Sequence, residues 1–198
     1  MFNGLRSPGG GTGPAVHLCR RPGVRGDGRL RSTSAPRTSV WRVVERFQVI
    51  PAAYLVLLRE RPGMADEVLL TLRRGTGYMD EHWACGAAGH VEAGESVLAA
   101  AAREAHEELG ISVQEHDLVP VTVMHRSAGN GDPVDERVDF FFRPSRWAGE
   151  PRRREPHKSA ALGWFALDAL PDPVVPHERV VLDALRHGTV PAVTVLGF

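Results

Sequence analysis

The chain has 198 residues, 42% hydrophobic and 24% charged, with 24 Lys and Arg balanced by 24 Asp and Glu. That length suffices for one globular domain with a real core plus appendages, and zero net charge argues against a generally basic surface that grips nucleic acid. Two cysteines, Cys19 and Cys85, make no disulfide framework, and no apolar run approaches the roughly 20 residues of a membrane span, so a soluble protein in a reducing, cytoplasmic compartment is expected.

Residues 1–39 are rich in Gly, Pro, Ser and Arg and hold seven Arg against one acid, Asp27, so the rest of the chain must be acidic by six charges. Too few large apolar side chains occur there to offset the entropy of ordering. The segment is expected to be a disordered tail ahead of a domain spanning 40–198. Its Arg and Ser content also fits an organelle transit peptide, though without the amphipathic period of one; a mis-assigned start is the other reading.

From Phe47 the texture changes. "FQVIPAAYLVLL" and "EVLLTLRR" are short apolar, β-branched runs around the Pro-Gly turn of "RERPGMAD", and they predict two strands. "HWACGAAG" predicts a third extended piece. A helix opens at Glu95 or Ser96, after Gly89 and Gly94, and Gly110 caps it. "LVPVTVMHR" and "ERVDFFFRP" predict a hairpin around "SAGNGDP". "ALGWFAL" adds a strand, and "PHERVVLDALRHG" a second helix that starts near a Pro and stops at Gly188. This order favours an α/β fold, a mixed sheet sandwiched between helices.

The first helix carries the chemistry. Glu104, Glu107 and Glu108, spaced i, i+3 and i+4, fall within an arc of about 100°. Beside them Val97, Leu98, Ala101, Ala105 and Leu109 form an apolar stripe, so the carboxylates border the core. Like charges at these spacings repel by a few tenths of a kcal/mol even in water, so a positive partner is expected. With only carboxylates on this face, the natural guest is Mg²⁺ or Mn²⁺ rather than zinc, and Mg²⁺ commonly brings substrate phosphates with it. Ala100 lies inside the arc and leaves room for a hydrated ion, while Arg103, one turn before Glu107, can hold that carboxylate. The bland alternative is a solvated acidic face.

The full stretch from 89 to 111, "GHVEAGESVLAAAAREAHEELGI", weighs against that alternative. It resembles the Nudix box without a gap: Gly89, Glu95, Arg103, Glu104, an aliphatic slot filled by Ala105, Glu107, Glu108, Gly110 and Ile111. Seven strict positions at residue frequencies near one in fifteen make a chance match on the order of one in 10⁸ per starting point. The flanking chain from about Phe47 to Arg186 is also similar to the family. The resemblance implies an α/β/α sandwich that hydrolyses a nucleoside diphosphate linked to another moiety, using a divalent metal and water. It implies Glu104, Glu107 and Glu108 as metal ligands, the carbonyl of Ala88 as a further one, Arg103 as their orienting group and Glu95 as a support for the loop. The base comes either from the box helix or from elsewhere. Glu104 is the first choice here; Glu136 is the candidate outside the box, its alternative being an exposed strand acid paired with an Arg.

Recognition of the substrate, expected to be a small nucleotide or diphosphate, is thinner. Tyr78, Trp83 and Phe47 can stack on a base, and Arg73, Arg74 and Arg126 can meet phosphates; the alternatives are core packing for the aromatics and solvation for the arginines. "RRRE" at 152–155 reads as an exposed loop, and His106 as surface. Nucleotide-pool sanitising is one implied role. Isopentenyl-diphosphate isomerases share the fold and use a Cys near this loop, but Cys85 stands three residues before the place that theirs would occupy, Ala88, and the box here is intact. A nucleotide sensor that binds without cleaving is the non-enzyme alternative. A homodimer is left open.

Overall fold

Strand β1 (Ile50–Leu55) sends alternate side chains to opposite faces, and both faces are covered. Ala53 and Leu55, with Leu57 just beyond, join one apolar core, while Ala52, Tyr54 and Val56 join the other. This explains the unbroken apolar run: a strand buried on both sides has no polar face to show. The computed structural model describes residues 47–132 and 135–198. The tail expected over 1–39 lies outside the described residues.

Among the described residues nine strands form two sheets. The first is mixed, with β5 (Ala87–His90), β1, β7 (Arg137–Pro144), β6 (Leu118–Arg126) and β9 (Val193–Leu196) side by side in that order. In it β1 runs parallel to β7 and β6 parallel to β9, while β1–β5 and β6–β7 are antiparallel. The second sheet joins β2 (Leu58–Arg59), β3 (Glu67–Arg73) and β4 (Trp83–Cys85), with β8 (Ser159–Ala166) antiparallel along β3. The expected single sheet is thus two. The reason lies at two corners: the chain leaves the first sheet at Val56 and Leu57 to enter β2, and crosses back at Gly86 between β4 and β5. A Cβ on Gly86 would come within 3.3 Å of Leu109 and 3.4 Å of Leu69, so that corner takes no side chain without a shift in its neighbours. Hence "HWACGAAG" is two strands in two sheets.

Helix α1 (Val97–Leu109) follows the predicted signals. Ser96 caps it by accepting from the Ala99 N–H at 3.0 Å, and Gly110, in the left-handed region at φ 70°, closes it. Ala101, Ala105 and Leu109 are buried against β1 and β5 with Val97 and Leu98 beside them. Ala100 is buried as well, at 0% exposure, which corrects its expected role as space for an ion: small residues bring the helix so close to the sheet that this end of the arc belongs to the core. Helix α2 (Pro176–Arg186) covers the other core through Val181 and Leu182. The segment before it is tied to β4, since Trp83 N–H donates to Pro173 O and Val175 N–H to Trp83 O, each at 2.8 Å. β9, absent from the sequence reading, extends the first sheet at its edge. Among the described residues no helix is long and apolar enough to cross a membrane.

Candidate active site

Arg103 organises the acidic face. Its Nη1 donates to Glu104 Oε1 at 2.7 Å and Glu107 Oε2 at 3.1 Å, and its Nε and Nη2 grip Glu95 at 2.9 and 3.1 Å. The same Nη2 reaches the His90 carbonyl at 3.1 Å, so one guanidinium ties helix, loop and strand β5 together. Repulsion between Glu104 and Glu107 is therefore met within the chain. Hydrogen bonds to Glu95 foremost, then to the other carboxylates, hold the Arg103 proton more tightly than usual, and Arg103 holds Glu95 below the usual carboxylate range.

Glu104 and Glu108 turn toward the sheet. A Cβ on Gly89 would lie 1.8 Å from Glu104 Oε1, so a glycine is required there for this carboxylate to sit against β5. Glu108 Oε2 accepts from the Ala88 N–H at 3.0 Å. Burial raises the Glu104 carboxyl, with Arg103 opposing and Glu107 adding to the rise. Burial likewise pushes Glu108 up to about 7, partly offset by the Ala88 N–H and reinforced by the charges of Glu104 and Glu155. Glu107 is the outermost of the three, with 52% of its side chain exposed, and His106 is exposed as expected.

Beside Glu108 opens a cavity of about 370 Å³, whose walls include Gly89, His90, Glu155, Lys158, Arg137 and Arg153. Lys158 pairs with Glu155 at 2.8 Å, and Arg137 donates to His90 Nε2 at 2.6 Å, which keeps that ring neutral; burial and then Arg137 hold it below its ordinary value. The cavity lining thus mixes the carboxylates of Glu108 and Glu155 with the cations Lys158, Arg137 and Arg153. Glu155, Lys158 and Arg153 come from the loop before β8, which the sequence reading took as merely exposed; the Arg152 and Arg154 N–H groups tie it to the Leu109 and Glu108 carbonyls of α1 at 2.9 and 3.0 Å, and β8 pairs with β3.

The predicted recognition residues part company. Tyr78 stands at the cavity, 43% exposed, with the Arg73 guanidinium 5.6 Å from its ring centre. Its loop is fastened by Asp80, which accepts from Thr76 N and Oγ1 at 2.9 and 2.7 Å. Trp83 packs edge-on to Phe165, ring centres 4.6 Å apart, inside the α2 core rather than along the cavity. Arg126 lines the cavity but is buried and paired with Asp139, so solvation does not describe it. Glu136 pairs with His125 Nε2 at 2.9 Å and is not part of the cavity lining that holds Glu108. Phe47 is exposed.

The cavity lining also includes Tyr54 and Glu178, which the sequence reading missed, and Cys85, which it weighed only as an isomerase-type thiol. Glu178 accepts from the Cys85 backbone N–H, and burial pushes its carboxyl up to about 7. Burial and the adjacent Glu178 also raise the Cys85 thiol. Alternation marked Tyr54 only as apolar, and Glu178 only as a helix acid.

A sequence model of the NUDIX domain matches residues 49–185. The chain belongs to the Nudix family. The MutT Nudix hydrolase from Burkholderia pseudomallei is 31% identical, with a TM-score of 0.58, the alignment covering 69% of this chain and 97% of that one. The fold is also that of the E. coli ORF135 protein (24% identity, TM-score 0.53, 70% and 89% covered) and a Nudix hydrolase from Nitrosomonas europaea (21%, 0.53, 76% and 80%). No curated protein matches the chain. This Nudix hydrolase has the α/β/α sandwich of its family.

Proposed function

We propose that this Nudix hydrolase cleaves a phosphoanhydride bond in a nucleoside di- or triphosphate derivative and depends on Mg²⁺ or Mn²⁺. The observation that carries the reading is the cavity whose lining brings Glu108 of the carboxylate helix together with Lys158, Arg153 and Arg137, a charge pattern suited to polyphosphate and cation together. The donor set fits a hard divalent ion, being carboxylates alone, and the missing Cβ at Gly89 keeps Glu104 against β5 beside Ala88. Among the described residues no three acidic, His or Cys groups converge as a ready-made cluster; the carboxylates line a face instead. Glu104, Glu107 and Glu108, with the Ala88 carbonyl, would hold the ion, which supplies neutralisation of pyrophosphate charge and acidification of water.

The protein's own groups do the rest. Arg103 fixes Glu104 and Glu107, so little reorganisation is needed during reaction. Lys158 and Arg153 orient the phosphates. Glu104, whose Oε1 accepts from Arg103, is our first choice for the group that takes the proton of the attacking water, a step worth roughly 10² to 10⁴ in rate. Outside the helix, Glu155 is the better-supported alternative for that role, because it lines the cavity and Glu136 does not, although Lys158 pairs with Glu155 as His125 does with Glu136.

The isomerase alternative needs a reactive thiol, and Cys85 is fully buried with its thiol pKa raised, the opposite of an activated thiolate. A panel of nucleoside di- and triphosphates and their conjugates, assayed with Mg²⁺ and with chelator, tests the reading. Product release that chelator abolishes is expected; tight binding with no product would favour the sensor, and isomerisation of isopentenyl diphosphate the isomerase.

A further inference from the structure

The loop that joins β3 to β4 carries two cavity groups and holds them in a shape that its backbone resists. Met79 and Glu81 lie in the left-handed region at φ 46° and 63°, where side chains are disfavoured, and such a pair persists only where surrounding contacts over-determine it. Those contacts converge on Asp80 between them. Its Oδ1 accepts from the Thr76 N–H at 2.9 Å and from the Thr76 hydroxyl at 2.7 Å, and its Oδ2 from the Gly77 N–H at 3.3 Å. These bonds, those from Thr76 foremost, hold the Asp80 carboxyl below the usual carboxylate range, so it stays an ionised acceptor at neutral pH. With its proton given to Asp80, the Thr76 hydroxyl has lone pairs for Arg73 Nη2 at 3.0 Å and the Tyr78 N–H at 3.3 Å, while Arg73 Nε donates to the Tyr78 carbonyl at 2.9 Å. Arg73 and Tyr78 both line the cavity; Asp80 does not, and reaches them through that one hydroxyl.

We propose that Asp80 is a positioning residue for substrate binding: through Thr76 it locks this loop so that the Arg73 guanidinium and the Tyr78 ring meet the substrate as one preformed surface. A surface already ordered in the free protein loses little side-chain or loop freedom when substrate arrives, so its effect falls on binding and not on the chemical step at α1. The inference rests on the nucleotide reading above and adds to it a residue outside the cavity lining.

Steady-state kinetics of the full chain with Mg²⁺, on whichever of ATP, GTP, CTP and UTP it hydrolyses fastest, test the proposal. Asp80→Ala is expected to raise KM by about tenfold and to leave kcat within about twofold. A KM that stays within about twofold overturns the proposal, and so does a loss carried by kcat. Because general loosening of the fold could also raise KM, a mutant cycle separates the two causes. In a chain carrying Arg73→Ala and Tyr78→Ala, adding Asp80→Ala should change KM by less than about twofold; a larger further rise means that Asp80 does not act through those side chains and overturns the proposal. Should Asp80→Ala fail to fold, Thr76→Val takes its place, since it removes the hydroxyl at nearly constant shape: the same rise in KM is expected, and an unchanged KM overturns the proposal. Hydrolysis of none of the four nucleotides by the wild type overturns the nucleotide reading and this inference with it, whereas hydrolysis with a KM indifferent to Asp80 overturns this inference only.

Discussion

The two helices cover opposite cores, and each brings ionisable groups to one cavity by a different physical route. On α1 the acids are close in sequence to what holds them: Arg103 reaches Glu104 and Glu107 on its own helix and Glu95 eight residues before. On α2 the partners are remote. Glu178 meets the Cys85 N–H across 93 residues, and His177 meets the Tyr54 hydroxyl at 3.2 Å across 123. Glu95, Arg103 and Glu107 stay at the protein border, where pairing is cheap, whereas Glu108 on α1 and Glu178 on α2 are withdrawn from water and each pushed up to about 7, and His177 is pushed down to about 3. The paired charges on α1 are thus held by near neighbours in the chain, and the buried polar groups on α2 by remote ones.

The sharpest way to break this contrast is Glu107→Gln. Glu107 is half exposed, so the melting temperature should not move, while metal-dependent turnover falls by about 10³-fold or more; a variant with ordinary kcat would remove the acidic face from the mechanism. Gly89→Ala comes next. Its Cβ displaces the Glu104 carboxylate without demanding an unusual backbone, and a shift of about 1 Å there should cost roughly 10²-fold in kcat with a small change in Tm, a result that steady-state kinetics beside thermal melts would check.

A paired comparison then separates the two acids outside the helix. Glu155→Gln is expected to lower kcat by about tenfold and Glu136→Gln to leave it within about twofold; the reverse order would restore Glu136 to the site. The smallest effect concerns α2. The Glu178 carboxyl titrates near 7 in the folded protein against 4.5 ordinarily, so its folded form binds the proton more tightly. The stability it contributes is present below about pH 4.5 and is lost as pH rises through about 7. Glu178→Gln should remove that loss, so that variant and wild-type stabilities diverge by up to about 1 kcal/mol per pH unit across this window; urea unfolding at several pH values would show parallel curves if the carboxyl were not buried and protonated.

Much of the fold was legible because its signals are local. Ser96 and Gly110 bound α1, Pro176 and Gly188 bracket α2, and the hairpin of β6 and β7 lies around its Gly-rich loop. The acidic face was legible for the same reason, since helical spacing places Glu104, Glu107 and Glu108 together whatever the rest of the chain does. β9 was not, because a four-residue strand with two exposed valines owes its existence to the β6 edge beside it. Trp83 shows the opposite error: an aromatic near the box looked available to a base, but pairing of β4 with β3 turns it onto Phe165.

From its order of residues alone, this chain determines a Nudix box, a helix with one acidic and one apolar face, and alternation between strands and helices. Only the folded arrangement decides that the run is split between two sheets at Leu57 and Gly86, that the loop carrying Glu155 and Lys158 closes over the acidic helix, and that Glu178 ends the cavity. The division follows distance along the chain: a helix sets its own side-chain directions through backbone geometry, whereas partners about a hundred residues apart meet only when burial of two apolar cores draws them together.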